Sequence, residues 1–340
     1  MLTALILWLQ NTVPAVGFLV PALFFAAGIV LVIKGGDWFV DAAGAIAKML
    51  GVPTFIIGAT IVSLATTLPE MIVSVTAAAQ SRTSLDAQGS IDMAIGNAVG
   101  SVTANTALIM ALAFVFLKVV ISRREYIAQS LLLIGAATVL WLGSLSGQLE
   151  FYASGILVCI FIAFMTLNVV NGKRAALPAE EKGVFTGRDV GKNVFLFILG
   201  ADAIVGGSQL LVSGGGALAA ALGVPERIIA VTLVAVGTSL PELVTTLTAI
   251  RKKESALSVG NIIGANVIDL SLILPICSLV SGQRLPVTPI SITLDFPVCL
   301  GVILIAVLPL LIRQKASRAQ GVLLLAVYAG YLALTVVPGV

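Results

Sequence analysis

Glu70 and Glu242 each follow a proline inside a long apolar stretch, and each comes just after two hydroxyl residues: Thr66-Thr67-Leu68-Pro69-Glu70 and Thr238-Ser239-Leu240-Pro241-Glu242. A carboxylate in hydrocarbon costs on the order of 3 kcal/mol even on a lenient insertion scale, so its presence marks a functional site. A helical proline lacks an N–H and leaves the carbonyl four residues earlier without its donor. Here those carbonyls belong to Ala65 and Gly237. Two carboxylates, two freed carbonyls and the hydroxyls of Thr66, Thr67, Thr238 and Ser239 are hard oxygens, which suit Ca²⁺ and Na⁺ rather than soft transition metals.

A second pair of polar blocks follows: Gly96-Asn-Ala-Val-Gly-Ser-Val-Thr-Ala-Asn105 and Gly260-Asn-Ile-Ile-Gly-Ala-Asn-Val-Ile-Asp269. Ser101 and Asn105 are four apart and so share a helix face. Asp269 occupies the position matching Asn105. The glycines in both blocks permit close helix approach. Together the four segments supply one cage containing Glu70, Glu242, Asp269 and Asn105. With Ca²⁺ bound, three ionised carboxylates would leave a net negative charge, so Asp269 is expected to carry a proton, because like charges sharing a site cannot all ionise.

These blocks recur because the chain is duplicated. Residues 51–77 laid on 223–249 agree at 13 of 27 positions, and the second blocks align at a separate offset of 164. The elements that must hold them are membrane helices: 59% of the 340 residues are hydrophobic, 10% are charged and the mean hydropathy is +1.12, whereas about a quarter of an ordinary soluble chain is charged. At roughly 20 apolar residues per crossing, spans are expected near 14–34 with continuation towards 49, then 55–80, 91–117, 127–146 and 150–170. The second half offers 193–222, 227–250, 257–281, 292–312 and 320–338. The fold class is therefore an all-α integral membrane protein of ten transmembrane helices, a repeat at 1–170, a short linker at 171–192 and a repeat at 193–340. The paired motifs occupy about 51–117 and 223–281.

Fifteen Lys and Arg fall in loops on one side of this arrangement and Arg82, Arg227 and Arg284 on the other, with Lys34 inside the first span. The basic side is expected in the cytoplasm and both termini outside, in the plasma membrane. Five is odd, so the second repeat is expected upside down relative to the first. Inverted repeats with interrupted helices are the architecture of secondary transporters.

With Gly35-Gly-Asp-Trp-Phe-Val40, the motifs Thr-Ser-Leu-Pro-Glu (238–242) and Gly-Asn-Ile-Ile-Gly-x-Asn-x-x-Asp (260–269) resemble the alpha repeats of the sodium/calcium exchanger family. The likeness spans most of residues 30 to 281. It implies ten helices, transported Ca²⁺ and Na⁺ in a shared cluster of sites, and alternating access by sliding of the first helix of each repeat against the rest. It implicates Thr66, Thr67, Glu70, Ser101, Asn105, Thr238, Ser239, Glu242 and Asp269. Three departures stand out. Ala65-Thr66-Thr67 replaces the usual Gly-Thr-Ser, Val102 replaces an asparagine, and Ala265 replaces a serine, so one Na⁺ site is expected to be weak.

The remaining ionisable residues have simpler readings. Lys34 and Asp37 are expected to neutralise one another, Asp295 to be solvated, Asp202 to be hydrated or packed, and Asp41, Asp86, Asp92 and Glu226 to sit at helix ends. No cofactor is expected. Histidine is absent and Cys159, Cys277 and Cys299 are isolated, which argues against a metalloenzyme or a disulfide framework. The first residues lack a basic start and make a poor signal peptide. A net charge of +3 confined to loops implies no nucleic-acid partner; the expected partners are Ca²⁺, Na⁺ and the bilayer, and no oligomer is required. A proton-coupled exchanger is the alternative, since carboxylates themselves carry protons. A cation channel is the remote one, and it differs in needing no counter-ion.

Overall fold

The computed structural model describes residues 19–83, 86–119, 121, 123–175, 186–221, 237 and 239–336. The helices are α1 Leu19–Leu50, α2 Thr54–Thr66, α3 Leu68–Gln80, α4 Ala87–Phe116, α5 Arg123–Gly143, α6 Phe151–Ala175, α7 Gly187–Ala221, α8 Leu240–Lys252, α9 Ser255–Ser281, α10 Ser291–Arg313 and α11 Arg318–Val336. Among the described residues, eight helices are long and apolar enough to cross a membrane. The bent pair α2–α3 makes a ninth if it is one crossing. Of the expected span 227–250, the first part lies outside the described residues and α8 is the rest. Continuation of the first span is realised, for α1 is one helix of 32 residues.

Burial places α9 at the centre. Its apolar stretch is 83% buried, against 28% in α1 and 17% in α11. The fully buried Ile262, Ile263 and Val267 of α9 join Val102 and Phe114 of α4, Tyr126 of α5 and Phe296 of α10 in one core. Two glycine seams set the spacing. Between α2 and α9, a methyl on Gly260 would collide with the Phe55 carbonyl, and one on Gly264 with Ser63 and the Ala59 carbonyl. Between α1 and α7 the glycines recur every seven residues, Gly28 and Gly35 on one helix and Gly200, Gly207 and Gly214 on the other. A methyl on Gly200 would lie 2.7 Å from the Phe39 nitrogen, and one on Gly214 2.7 Å from the Phe25 nitrogen. Such seams are how helices approach backbone to backbone where no hydrophobic force acts between them.

Several local features differ from the sequence reading. A two-residue antiparallel ribbon joins β1 (Gln148–Leu149) to β2 (Leu285–Pro286); two residues give no alternating pattern, and an all-α reading omits it. Asp37 does not pair with Lys34. It takes Arg251 and Lys252 from α8, and Lys252 Nζ also lies 2.5 Å from Asp41 Oδ1. Asp41 is therefore part of an ionic cluster well inside α1 rather than at a helix end. Asp295 is not simply solvated, for it accepts from Tyr331 Oη at 2.9 Å and Ser291 Oγ at 2.9 Å. These partners are remote in sequence or on the next turn, beyond what a charge-by-charge reading reaches. Asp86 does cap a helix, accepting from the Gly89 N–H at 2.9 Å, and Asp202 is exposed. Glu226 lies outside the described residues.

Candidate cation site

Thr66-Thr67-Leu68-Pro69 breaks the helix as expected. Thr67 sits at φ −84°, ψ −4°, and α3 leaves the joint bent by 46° from α2. Ser239, its counterpart in the sequence repeat, has φ −86°, ψ 8° and directly precedes α8. Both residues thus occupy the sparsely populated bridge region. Each new helix carries proline and then glutamate in its first turn, where the partial positive charge of the helix N-terminus favours a carboxylate.

The second blocks supply a different irregularity. α4 widens into a π-helical turn over Asn105–Met110, and α9 does so over Asp269–Ile273. Both wide turns begin at the predicted site residue. π-turns are rare and concentrate at functional sites.

The structure brings the two motif sets together. Thr67 Oγ1 donates to Glu242 Oε1 at 3.3 Å, and Ser239 Oγ donates to Ser101 Oγ at 3.3 Å. Glu70 lies in electrostatic reach of Glu242 and Asp269 and beside the Ser239 hydroxyl. Thr66, Thr67, Glu70, Ser101, Asn105, Ser239, Glu242 and Asp269 are all buried, none more than 3% exposed. Thr238 lies outside the described residues. Both carboxylate oxygens of Glu70, both of Asp269, Oε2 of Glu242 and both polar atoms of Asn105 are buried without a hydrogen-bond partner. A buried carboxylate oxygen left this way costs several kcal/mol. The donor set therefore fits a cation. Among the described residues no three acidic, cysteine or histidine side chains form a metal cluster by themselves, so the set has to be mixed, drawing on hydroxyls and Asn105 as well.

The sequence reading missed a supporting layer. Asn97 Nδ2 donates to the Glu70 carbonyl at 3.2 Å and to Ser74 Oγ at 2.9 Å. Its repeat counterpart, Asn261, instead accepts from Thr66 Oγ1 at 3.2 Å, while its own Nδ2 is buried without a partner. Asn266 Nδ2 donates to Thr106 Oγ1 at 2.8 Å. The signal was available, since Asn97 and Asn261 recur in matching blocks. Both follow the glycines at 96 and 260, whose close-packing role is the simpler reading of the same blocks. Ala265 is fully buried and contributes no oxygen.

Comparison with known proteins accords with this geometry. The family model for sodium/calcium exchanger protein matches residues 20–170 and 192–337. The sodium/calcium exchanger MaX1 of Methanosarcina acetivorans is 29% identical over 358 residues, covering 91% of this chain and 97% of its own. Inner membrane protein YrbG of Escherichia coli is 32% identical over 323 residues, covering 90% of this chain and 94% of its own. A solved structure of the sodium-calcium exchanger NCX_Mj, soaked with Na⁺ and Sr²⁺, matches with a TM-score of 0.77 and 29% identity over 94% of this chain and 99% of that one. With both halves matched and the fold shared end to end, the chain belongs to the sodium/calcium exchanger protein family.

Proposed function

We propose that this chain is a secondary antiporter, not an enzyme, that moves Ca²⁺ out of the cell against inward Na⁺ by alternating access. The observation that carries this reading is the set of five partnerless, buried carboxylate oxygens on Glu70, Glu242 and Asp269, gathered beside the helix break at Thr67 and the start of α8 at Ser239. Thr66, Thr67, Ser101, Asn105 and Ser239 complete the ligand set, with Thr238 as the counterpart of Thr66. The proposed architecture is ten transmembrane helices in two inverted five-helix repeats. The duplicated motifs and the matching torsions of Thr67 and Ser239 support it. The moving parts are α1 and α7, the first helix of each repeat, sliding against the rest; their tight mutual seam of glycines and the Phe39–Phe197 stack supports their moving together. The reading is tested in sealed vesicles preloaded with Na⁺, with K⁺ or with acid. Ca²⁺ uptake that needs Na⁺ inside bears it out, and uptake indifferent to any counter-ion would identify a channel.

A second reading, proton coupling, is favoured by one departure: at position 265, where the family resemblance implies a serine, the chain carries the buried methyl of Ala265 and no oxygen. Na⁺ is held by a handful of neutral and charged oxygens, so losing one weakens it more than a carboxylate-dominated Ca²⁺ site. Ala265→Ser is expected to raise Na⁺ affinity or steepen the Na⁺ dependence of Ca²⁺ flux, with a smaller change in apparent Ca²⁺ affinity. Superimposable Na⁺ curves for the two proteins would show that position 265 does not face a Na⁺ site, and acid-driven uptake would then decide for protons.

The plasma membrane is the proposed location, with the basic loops cytoplasmic and both termini outside. A cysteine at Ser255, beside Arg251–Lys253, is expected to be shielded from an impermeant thiol reagent in intact cells, and one at Gln283 to label. Gln283 is the better reporter than its neighbour, because Gly282 holds φ +73° against Arg82. Cys159 is exposed and has to be replaced first, while Cys277 and Cys299 are buried. Labelling at 255 but not at 283 would invert the orientation.

A further inference from the structure

We infer that a basic pocket between the end of α4 and the start of α11 binds the phosphate of an anionic phospholipid. The pocket has a volume of about 480 Å³, and its lining includes Lys118, Lys315 and Arg318 together with Phe116 and Leu117. Among the described residues none of the three cations is ion-paired with an acid. A pocket of similar size, about 500 Å³, opens beside α1 and shows the contrast. There Lys48 and Lys252 face Asp41 and Glu254, so that pocket offers an anion no net attraction.

The α4–α11 pocket is preformed. Its two chain segments are tied backbone to backbone, Ile121 N–H donating to the Gln314 carbonyl at 3.2 Å and Ala316 N–H to the Val119 carbonyl at 3.1 Å. Gly321 of α11 seats so closely on α4 that a methyl there would lie 2.7 Å from the Ala111 carbonyl. The three cations are therefore held about one cavity instead of dispersed along a loop.

A phosphate anion is the shared chemistry, and apolar surface selects the lipid as its source. Phe116 is 67% exposed and Ile312, on the last turn of α10, is 76% exposed. Both stand where apolar spans end and the cations begin, which is the depth at which a phospholipid carries its headgroup above its acyl chains. Basic pockets between transmembrane helices take lipid headgroups in this way, each cation strengthening binding about fivefold, so three together contribute roughly a hundredfold. The inference is independent of which ion is transported.

The test compares the protein with its Lys118→Ala/Lys315→Ala/Arg318→Ala variant and with a control of equal charge loss, Lys173→Ala/Arg174→Ala/Lys192→Ala. Each is reconstituted in nanodiscs of phosphatidylcholine with increasing phosphatidylglycerol. Lipid retained through purification is counted by native mass spectrometry, and thermal unfolding is followed in parallel. The unsubstituted protein and the control are expected to retain phosphatidylglycerol in preference to phosphatidylcholine and to unfold at higher temperature as it is added. The pocket variant is expected to lose that preference by at least tenfold. Equal retention by pocket variant and control would overturn the proposal. If the triple variant does not fold, Lys315→Glu alone is expected to lower retention, and unchanged retention there overturns the proposal too. Inorganic phosphate is added to detergent-solubilised protein as a separate arm; stabilisation by phosphate with no selective lipid retention would make this a soluble-anion site and overturn the lipid assignment.

Discussion

Glu242→Gln is expected to lower Ca²⁺ exchange by about 10² to 10³-fold while making the ion-free protein harder to unfold. The first effect follows from geometry: Glu242 is fully buried, its Oε1 is held by Thr67 at 3.3 Å and its Oε2 has no hydrogen-bond partner. Removing one partner from a buried charge interaction costs about 3–5 kcal/mol, and each 1.4 kcal/mol is tenfold. The second effect has the opposite sign. Without a cation, Glu242 faces Glu70 and Asp269 across a buried space, and a neutral amide of the same shape relieves that repulsion. Ca²⁺ stabilises whatever state binds it, so the rise in melting temperature on adding Ca²⁺ to the unsubstituted protein is expected to shrink or vanish in the variant. Flux in vesicles and melting curves with and without Ca²⁺ measure both. Unimpaired exchange in a well-folded variant, or an undiminished Ca²⁺ shift, would remove Glu242 from the ligand set.

Gly200→Leu is expected to stop turnover while leaving equilibrium Ca²⁺ binding within about twofold of normal. Gly200 touches backbone, not side chain: a methyl would meet the Phe39 nitrogen at 2.7 Å and the Gly35 carbonyl at 2.9 Å. No rotamer change accommodates it, so α1 and α7 have to separate, and overpacking of this kind costs about 1–3 kcal/mol. Phe39 and Phe197, stacked at 4.4 Å between ring centroids across the same seam, would lose their contact. A packing defect in a static scaffold lowers stability without selecting turnover. One in the seam that joins the two moving helices lowers the rate first. Normal flux in a well-folded Gly200→Leu would mean that movement of α1 and α7 against the rest does not need their tight seam.

The sequence made the spans legible because hydropathy is a sum over twenty residues and tolerates error at any one of them. Ser255–Ser281 was expected at 257–281 and Phe151–Ala175 at 150–170. The break at Thr67 and the helix start after Ser239 were legible for a local reason, the missing N–H of the next-but-one proline. The sharing of Asp37 between Arg251 and Lys252 was not, since nothing in either segment's composition points across more than two hundred residues. Lys34 stood three residues away and offered the simpler partner. Asn97 and Asn261 were hidden for another reason. A repeat alignment says that two residues correspond, but not that one will hold the Glu70 carbonyl while the other takes the Thr66 hydroxyl.

The wide turns at Asn105–Met110 and Asp269–Ile273 also say something about permissible chain lengths. A π-turn houses one residue more than the α-turn it replaces, so it absorbs an insertion without changing the facing of the helix beyond it. Losing one residue between 106 and 110 would let α4 close to a regular helix with Phe114, 1% exposed, still pointing into the core. The same loss anywhere between 90 and 100 would turn the far half of the helix by about 100° relative to the near half and bring lipid-facing residues inward. Length variation among chains of this fold should therefore gather at these turns and at the other two among the described residues, Gly58–Val62 and Ser291–Asp295, and the shortened forms should remain well-packed membrane proteins.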